Sequence, residues 1–350
     1  MLSILAISAG FTSCDDDDDE WNATGDGQVE MAKTRAFVLN EGSMNKNNAG
    51  ITYFDWTTDV AYGSDLFMAQ NKRQLGDVGQ DIIVDKDNNL YVIVNNSSYI
   101  SKLDEHGVEK ATLQISESLG LPRYGVIVGK YLYVTCYGGF IVKIKTSDMT
   151  IVGQVAVGKN PEYIIAEGGY LYCTNSGWGS DNRVAKVKIS EFKNAEFIEV
   201  MSNPDRIVAV DGHIFVQGYD VDYSYPWGEL KADGTFEKIG NASAWAVSDN
   251  TIYLALSMTD WNTYATTTTF ATYDVKTATL TDIPSLPDAP EELYSSSVYG
   301  ISVNPYTKDF YIMTTDFANN GTINHFTKDG TFVKQFNTTG INPRKIVFLK

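Results

Sequence analysis

From Thr34 onward the apolar residues fall in short alternating runs bounded by Gly, Asn and Asp, and none shows the i, i+3, i+4 stripe of an amphipathic helix. The clearest recurring unit is an apolar-aromatic-apolar triplet: Leu90-Tyr91-Val92, Leu132-Tyr133-Val134, Leu171-Tyr172-Cys173, Ile214-Phe215-Val216, Ile252-Tyr253-Leu254 and Phe310-Tyr311-Ile312. Successive central aromatics stand 42, 39, 43, 38 and 58 residues apart, the period of four-stranded propeller blades, typically ~40–50 residues. Upstream of a triplet lies another short apolar strand, introduced by proline in Pro122-Arg-Tyr-Gly-Val-Ile, Pro161-Glu-Tyr-Ile-Ile and Pro204-Asp-Arg-Ile-Val. Downstream come a polar loop, a third strand such as Phe140-Ile-Val-Lys-Ile, a turn and a fourth strand. Each period is therefore four strands, A to D.

The ends of the chain complete the count. Phe37-Val38-Leu39 and Ile51-Thr52-Tyr53-Phe54 read as B and C strands with no A strand before them, and Asn342-Pro343-Arg344-Lys345-Ile346-Val347-Phe348 reads as an A strand with nothing after it. Joining them predicts an all-β fold over residues 34–350: a seven-bladed β-propeller of four-stranded antiparallel blades, its ring closed by strands from both termini. Closure of this kind leaves no open edge. The long last interval holds an extra segment around Pro284 to Glu292. The pattern resembles seven-bladed propellers of the YncE-like and NHL-like kind.

The N-terminus has a different character. Leu2 to Phe11 is apolar but too short to span a bilayer, as in the core of a signal peptide. Phe11-Thr12-Ser13-Cys14 resembles a bacterial lipobox, which implies a lipoprotein signal peptide at 1–13 and lipidation of Cys14. Asp15 to Asp19 and Glu20 are six consecutive acids that must be solvated. The expected organisation is thus a lipidated cysteine and acidic flexible tether at 14–33, then the propeller. This run supplies part of a net charge of −17 from 44 acidic and 27 basic residues. That balance argues against nucleic acid, whose binding needs basic charge on phosphate, and against an anionic membrane surface, so the membrane is met only through the lipid.

In such propellers one face is built from the D-to-A and B-to-C loops. Its candidate ligand-binding residues are Asn96, Arg123, Tyr124, Tyr137, Tyr163, Trp178, Arg206, Tyr219, Trp245, Trp261, Tyr299, Phe317 and Arg344. Tyr and Trp offer broad apolar faces with a polar tip at low entropy cost, which suits a large flat ligand. Taken singly, Tyr163, Trp245 and Tyr299 read equally as plugs of the channel between blades. The three histidines fall outside these loops: His106 in a C-to-D turn, His213 at a B strand, His325 at the end of a C strand. That leaves no material for a Ser-His-Asp triad or a His-based metal site, and neither a metal nor a cofactor is expected. Cys136 and Cys173 read as buried free thiols, and Glu162, Asp205, Asp220 and Asp260 as solvated loop carboxylates.

A lipidated Cys, an acidic tether and a propeller with an aromatic, amide-rich face together resemble the BtuG-type cobalamin-capture lipoproteins. The resemblance implies a non-enzymatic protein, lipid-anchored in the outer membrane and exposed on the cell surface. Its ligand would be a corrinoid (cobalamin) and its partner a TonB-dependent outer-membrane transporter. Two alternatives stand beside it: a surface-layer interaction propeller binding glycan or protein, and a propeller hydrolase or lactonase, which would need a metal or a carboxylate pair.

Overall fold

A computed structural model describes residues 29–350, so the expected signal peptide, Cys14 and the acidic run lie outside the described residues. Alternating apolar runs with tight turns give antiparallel strands, and these assemble into seven four-stranded sheets. Blades 2 to 7 begin with A strands Gly79–Val84, Pro122–Val128, Pro161–Glu167, Pro204–Val210, Ala244–Ser248 and Ser297–Val303. Blade 1 takes its A strand, Pro343–Leu349, from the C-terminus and pairs it antiparallel with Arg35–Asn40. Gly50–Asp55 and Val60–Ala61 complete that blade. The ring therefore closes with strands from both ends of the described chain.

The core lies in the seams between blades. Along the B strand Leu90–Val94 every residue is buried, whereas the outer strand Glu109–Gln114 alternates half-buried and exposed. The central aromatics Tyr91, Tyr133, Phe215 and Tyr311 are buried where neighbouring blades meet. At the closing seam Phe348 packs 5.3 Å from Tyr311. The Trp56 indole N–H donates to the Leu349 carbonyl at 2.9 Å, and His325 Nδ1 sits 2.7 Å from an Asp59 oxygen.

Three features depart from the strand pattern. Leu66–Asn71 is a short helix whose N-cap, Asp65, accepts from Met68 N–H at 2.7 Å, and it buries Leu66 and Phe67 against blades 1 and 2. In blade 6 the B and C strands, Thr251–Asp260 and Ala265–Asp274, are ten residues each and form a long hairpin arm. The extra segment after blade 6 contains a 3-10 turn, Glu291–Ser295, and buries Leu286 and Leu293 in the seam with blade 7. At the N-terminal end packing reaches back to Val29, which is buried and donates its N–H to Gln70. Cys136 and Cys173 are free and buried. Among the described residues no helix is long and apolar enough to cross a membrane.

Candidate ligand-binding face

The pairing of A and B strands breaks register near its start in six blades. The shifts fall at Gly79/Asp81, Pro122/Gly125, Pro161/Ile164, Pro204/Arg206, Val298/Gly300 and, where the C-terminal strand enters, beside Pro343 and Lys345. A bulge inserts an unpaired residue and re-aims its side chain, and proline at a strand's first position gives up no ladder hydrogen bond. The residues inside these bulges are Gln80, Arg123-Tyr124, Glu162-Tyr163, Asp205, Tyr299 and Arg344. Nearly all of the inner site is thus made of bulge residues. Blade 6 pairs without a shift. There Trp245 is opposite Leu254, 9% exposed, and edge-on to Trp227 at 6.2 Å in the core between blades 5 and 6.

Just before the bulges, Asn203 and Asn342 take left-handed φ angles of 45° and 58°, which Asn tolerates better than most residues. Their side chains then tie loops together. The Asn342 amide donates to the Gly42 carbonyl at 2.9 Å and accepts from Thr315 at 2.7 Å. Asn203 donates to the Tyr219 carbonyl at 3.0 Å and accepts from Gly179 N–H.

Six candidates converge at the channel. Tyr124 and Tyr163 stack at 3.7 Å between centroids. Arg344 donates to the Tyr124 hydroxyl at 2.6 Å and pairs with Glu41, which also accepts from the Tyr299 hydroxyl at 2.6 Å. Arg123 bonds Glu162 at 2.7 Å, donates to Gln80, and lies 4.7 Å from the Tyr137 ring. Burial opposes charge on Arg123 and Arg344, but Glu162 and Glu41 with the nearby tyrosines outweigh it and raise both guanidinium pKa values. Glu162 is no solvated loop carboxylate. It is 4% exposed and accepts from Arg123, Tyr137 and Ser176, and burial pushes its carboxyl above the usual range despite Arg123.

Arg206 differs from the other two arginines. Its contacts are the Tyr163 ring at 5.8 Å and an Asp205 oxygen at 3.6 Å, beyond hydrogen-bond reach. Both side chains open into a cleft of about 320 Å³ walled by Tyr219, Tyr223, Tyr225, Met258, Trp261, Tyr299 and Phe317. The hairpin arm of blade 6 brings Trp261 within 5.7 Å of Tyr223 on blade 5, and Phe317 meets Tyr299 edge-on at 5.9 Å. Guanidinium and carboxylate thus sit with spare donors and acceptors at the base of an aromatic slot.

The remaining candidates lie elsewhere on this face. Tyr137 meets Trp178 edge-on at 5.4 Å, with Trp178 69% exposed on the rim. Asn96 bonds Asp77 at 2.6 Å and Asn45 at 3.3 Å near blades 1 and 2, away from the cleft. Glu41, Gln80, Tyr223 and Tyr225 belong to the site without standing among the predicted residues. The two tyrosines lie in the B-to-C loop of blade 5, between strands His213–Gly218 and Pro226–Leu230, the second of which buries Trp227.

Neither a family model nor a curated protein matches the chain. Among solved structures, Kuenenia stuttgartiensis hydrazine synthase superposes with a TM-score of 0.63 at 13% identity, over 78% of this chain and 95% of that one. A quinonprotein alcohol dehydrogenase-like protein from Bacteroides thetaiotaomicron does so with 0.62 at 15%, over 89% and 78%. A streptogramin B lyase matches with 0.53 at 14%, over 75% and 84%. At such identities the likeness is one of fold: the chain is a seven-bladed β-propeller, a scaffold that serves enzymes and binding proteins alike.

Proposed function

We propose that this chain is a cell-surface lipoprotein that captures a corrinoid and passes it to a TonB-dependent outer-membrane transporter. The observation that carries the reading is the Arg206/Asp205 pair, whose spare hydrogen-bonding capacity lies under the aromatic walls of the cleft. A carboxamide is complementary to such a pair, its carbonyl accepting from the guanidinium while its NH₂ donates to the carboxylate. A corrinoid is broad and carries many amide side chains and a phosphate-bearing nucleotide loop. Its edge would enter the cleft while Trp261 and Tyr223 lie against the macrocycle.

The transporter would meet the rim, where Trp178, Val221, Tyr264 and Phe317 are exposed. Exposed apolar groups gathered on one face mark interaction surfaces. Anchoring rests on the Cys14 pattern. The surface-layer interaction propeller draws on the same rim.

Thermal melting against a panel of corrinoids and glycans separates these readings. A corrinoid at a hundredfold excess over its Kd adds about 2.7 kcal/mol to the folded state, a rise of roughly 3–6 °C. Stabilisation by a glycan and not by any corrinoid would overturn the corrinoid reading.

A further inference from the structure

On the opposite side of the ring, where A-to-B and C-to-D turns gather, the seams between blades repeat a motif. In blade 3 the Lys143 ammonium lies 4.1 Å from the Tyr131 ring and 5.6 Å from the Tyr133 ring. Phe192, on the C-to-D turn of blade 4, closes this seam, edge-on to Tyr133 at 5.3 Å. It does so from a left-handed φ of 43°, a conformation that a bulky residue adopts only when packing holds it. Tyr133 beneath it is 1% exposed.

Blade 4 carries the same trio: Lys186 lies 4.4 Å from the Tyr170 ring and 5.8 Å from the Tyr172 ring. Both tyrosine pairs stand 6.4 Å apart. Among the described residues no ring from blade 5 meets Tyr172 edge-on, although Phe236, the first residue of that blade's D strand, packs partly buried against the same seam. The C-to-D turn of blade 5, Lys231-Ala232-Asp233-Gly234-Thr235, has no aromatic residue, and a Cβ on Gly234 would meet nothing nearer than Ile198 at 4.0 Å. A groove of about 630 Å³ occupies the place, floored by Tyr170, Tyr172, Ile198 and Ile214 and edged by Ala232 and Gly234. This seam buries five apolar side chains where blades 3 and 4 bury ten.

From this internal comparison we infer that the groove between blades 4 and 5 is a docking site for an aromatic side chain of a partner polypeptide, which takes the position Phe192 holds one seam earlier. The chain itself thereby shows the occupant's chemistry: a ring edge-on to a tyrosine beside a lysine, an arrangement favoured by both the ring quadrupole and the cation. Around the apolar floor stands a polar rim, with Glu229 held by His213 at 2.6 Å and by Lys231. An apolar pocket inside a polar rim is the anatomy of an interface anchor. The groove faces away from the Arg206 cleft, so both can be filled at once.

The test is amide chemical-shift mapping with N-acetyl-phenylalaninamide as the probe and methyl glucoside as the control. The expected result is saturable movement of the Gly168, Gly212 and Gly234 amides with the aromatic probe alone. Ala232→Phe, which supplies the plug from within, abolishes that movement and raises the melting temperature. Tyr172→Leu provides a second route to the same loss. Movement of these amides with the glucoside instead, or with the probe undiminished in both variants, would overturn the inference.

Discussion

Arg123, Arg206 and Arg344 look equivalent along the chain, and the structure separates them into two paired cations and one with free donors. Among the described residues, replacing Arg206 by alanine removes a loose ion pair, to an Asp205 oxygen 3.6 Å away, and no hydrogen bond. What it loses is a charge-assisted bond to ligand, about 1.5–3 kcal/mol, or roughly 10- to 150-fold in Kd. Replacing Arg123 strips the counter-ion from Glu162, which is 4% exposed, and breaking such a pair costs about 3–5 kcal/mol of folding stability. Burial holds the Glu162 carboxyl above its ordinary value. A group whose folded pKa exceeds its unfolded one loses stability as pH rises through the folded value. Arg123→Ala is therefore hurt less in mild acid than at neutral pH. Urea denaturation at both pH values, with calorimetric titration of each variant against cyanocobalamin, reads all three quantities. Equal loss of stability in the two variants, or an Arg206→Ala protein that binds like the wild type, would refute this division of roles.

Phe348→Ala opens the seam that the C-terminal strand closes and should cost about 3–5 kcal/mol in denaturant, against roughly 0.5 kcal/mol or less for Val333→Ala on an exposed strand; similar costs would contradict closure. Trp261 is 61% exposed, so Trp261→Ala should weaken corrinoid binding about tenfold or more while leaving the melting temperature unchanged. Burial pushes the Cys136 thiol up to about 12 and the Cys173 thiol well above its ordinary value. Iodoacetamide at pH 8 should accordingly leave both unlabelled in mass spectra until denaturant is added. Asp316 is drawn down to about 2 by hydrogen bonds from Asn319 and the Ala318 N–H. The blade 7 loop carrying Phe317 should keep its caps from neutral pH to pH 4 and release them only as pH falls through that value, as an NMR titration of the two amides will show.

The blades were legible because each B strand writes its burial into the triplet around residues such as Tyr91 and Tyr133, and because proline marks the A strands beginning at Pro122, Pro161, Pro204 and Pro343. Leu66–Asn71 was not, since six residues are too few to show a helical period. The long arm of blade 6 hid in a threonine run, Thr266 to Thr269, with no apolar alternation. Within the site, residue types were readable and partnerships were not. Glu162 reaches Arg123 across 39 positions, from one blade to the next, and Glu41 reaches Arg344 across 303, a separation that ring closure spans. Trp245 carries the same local signal as Tyr124, and both are buried in inter-blade clusters, but Tyr124, set in a bulge, also accepts from the channel arginine Arg344, whereas Trp245 pairs in a blade without that bulge.

Ligand capture at the Arg206 cleft is the central claim, and calorimetric titration of the wild-type protein with cyanocobalamin tests it most directly. Saturable heat at one ligand per chain is the predicted result. No heat at micromolar ligand, under conditions where the protein is folded, would contradict it.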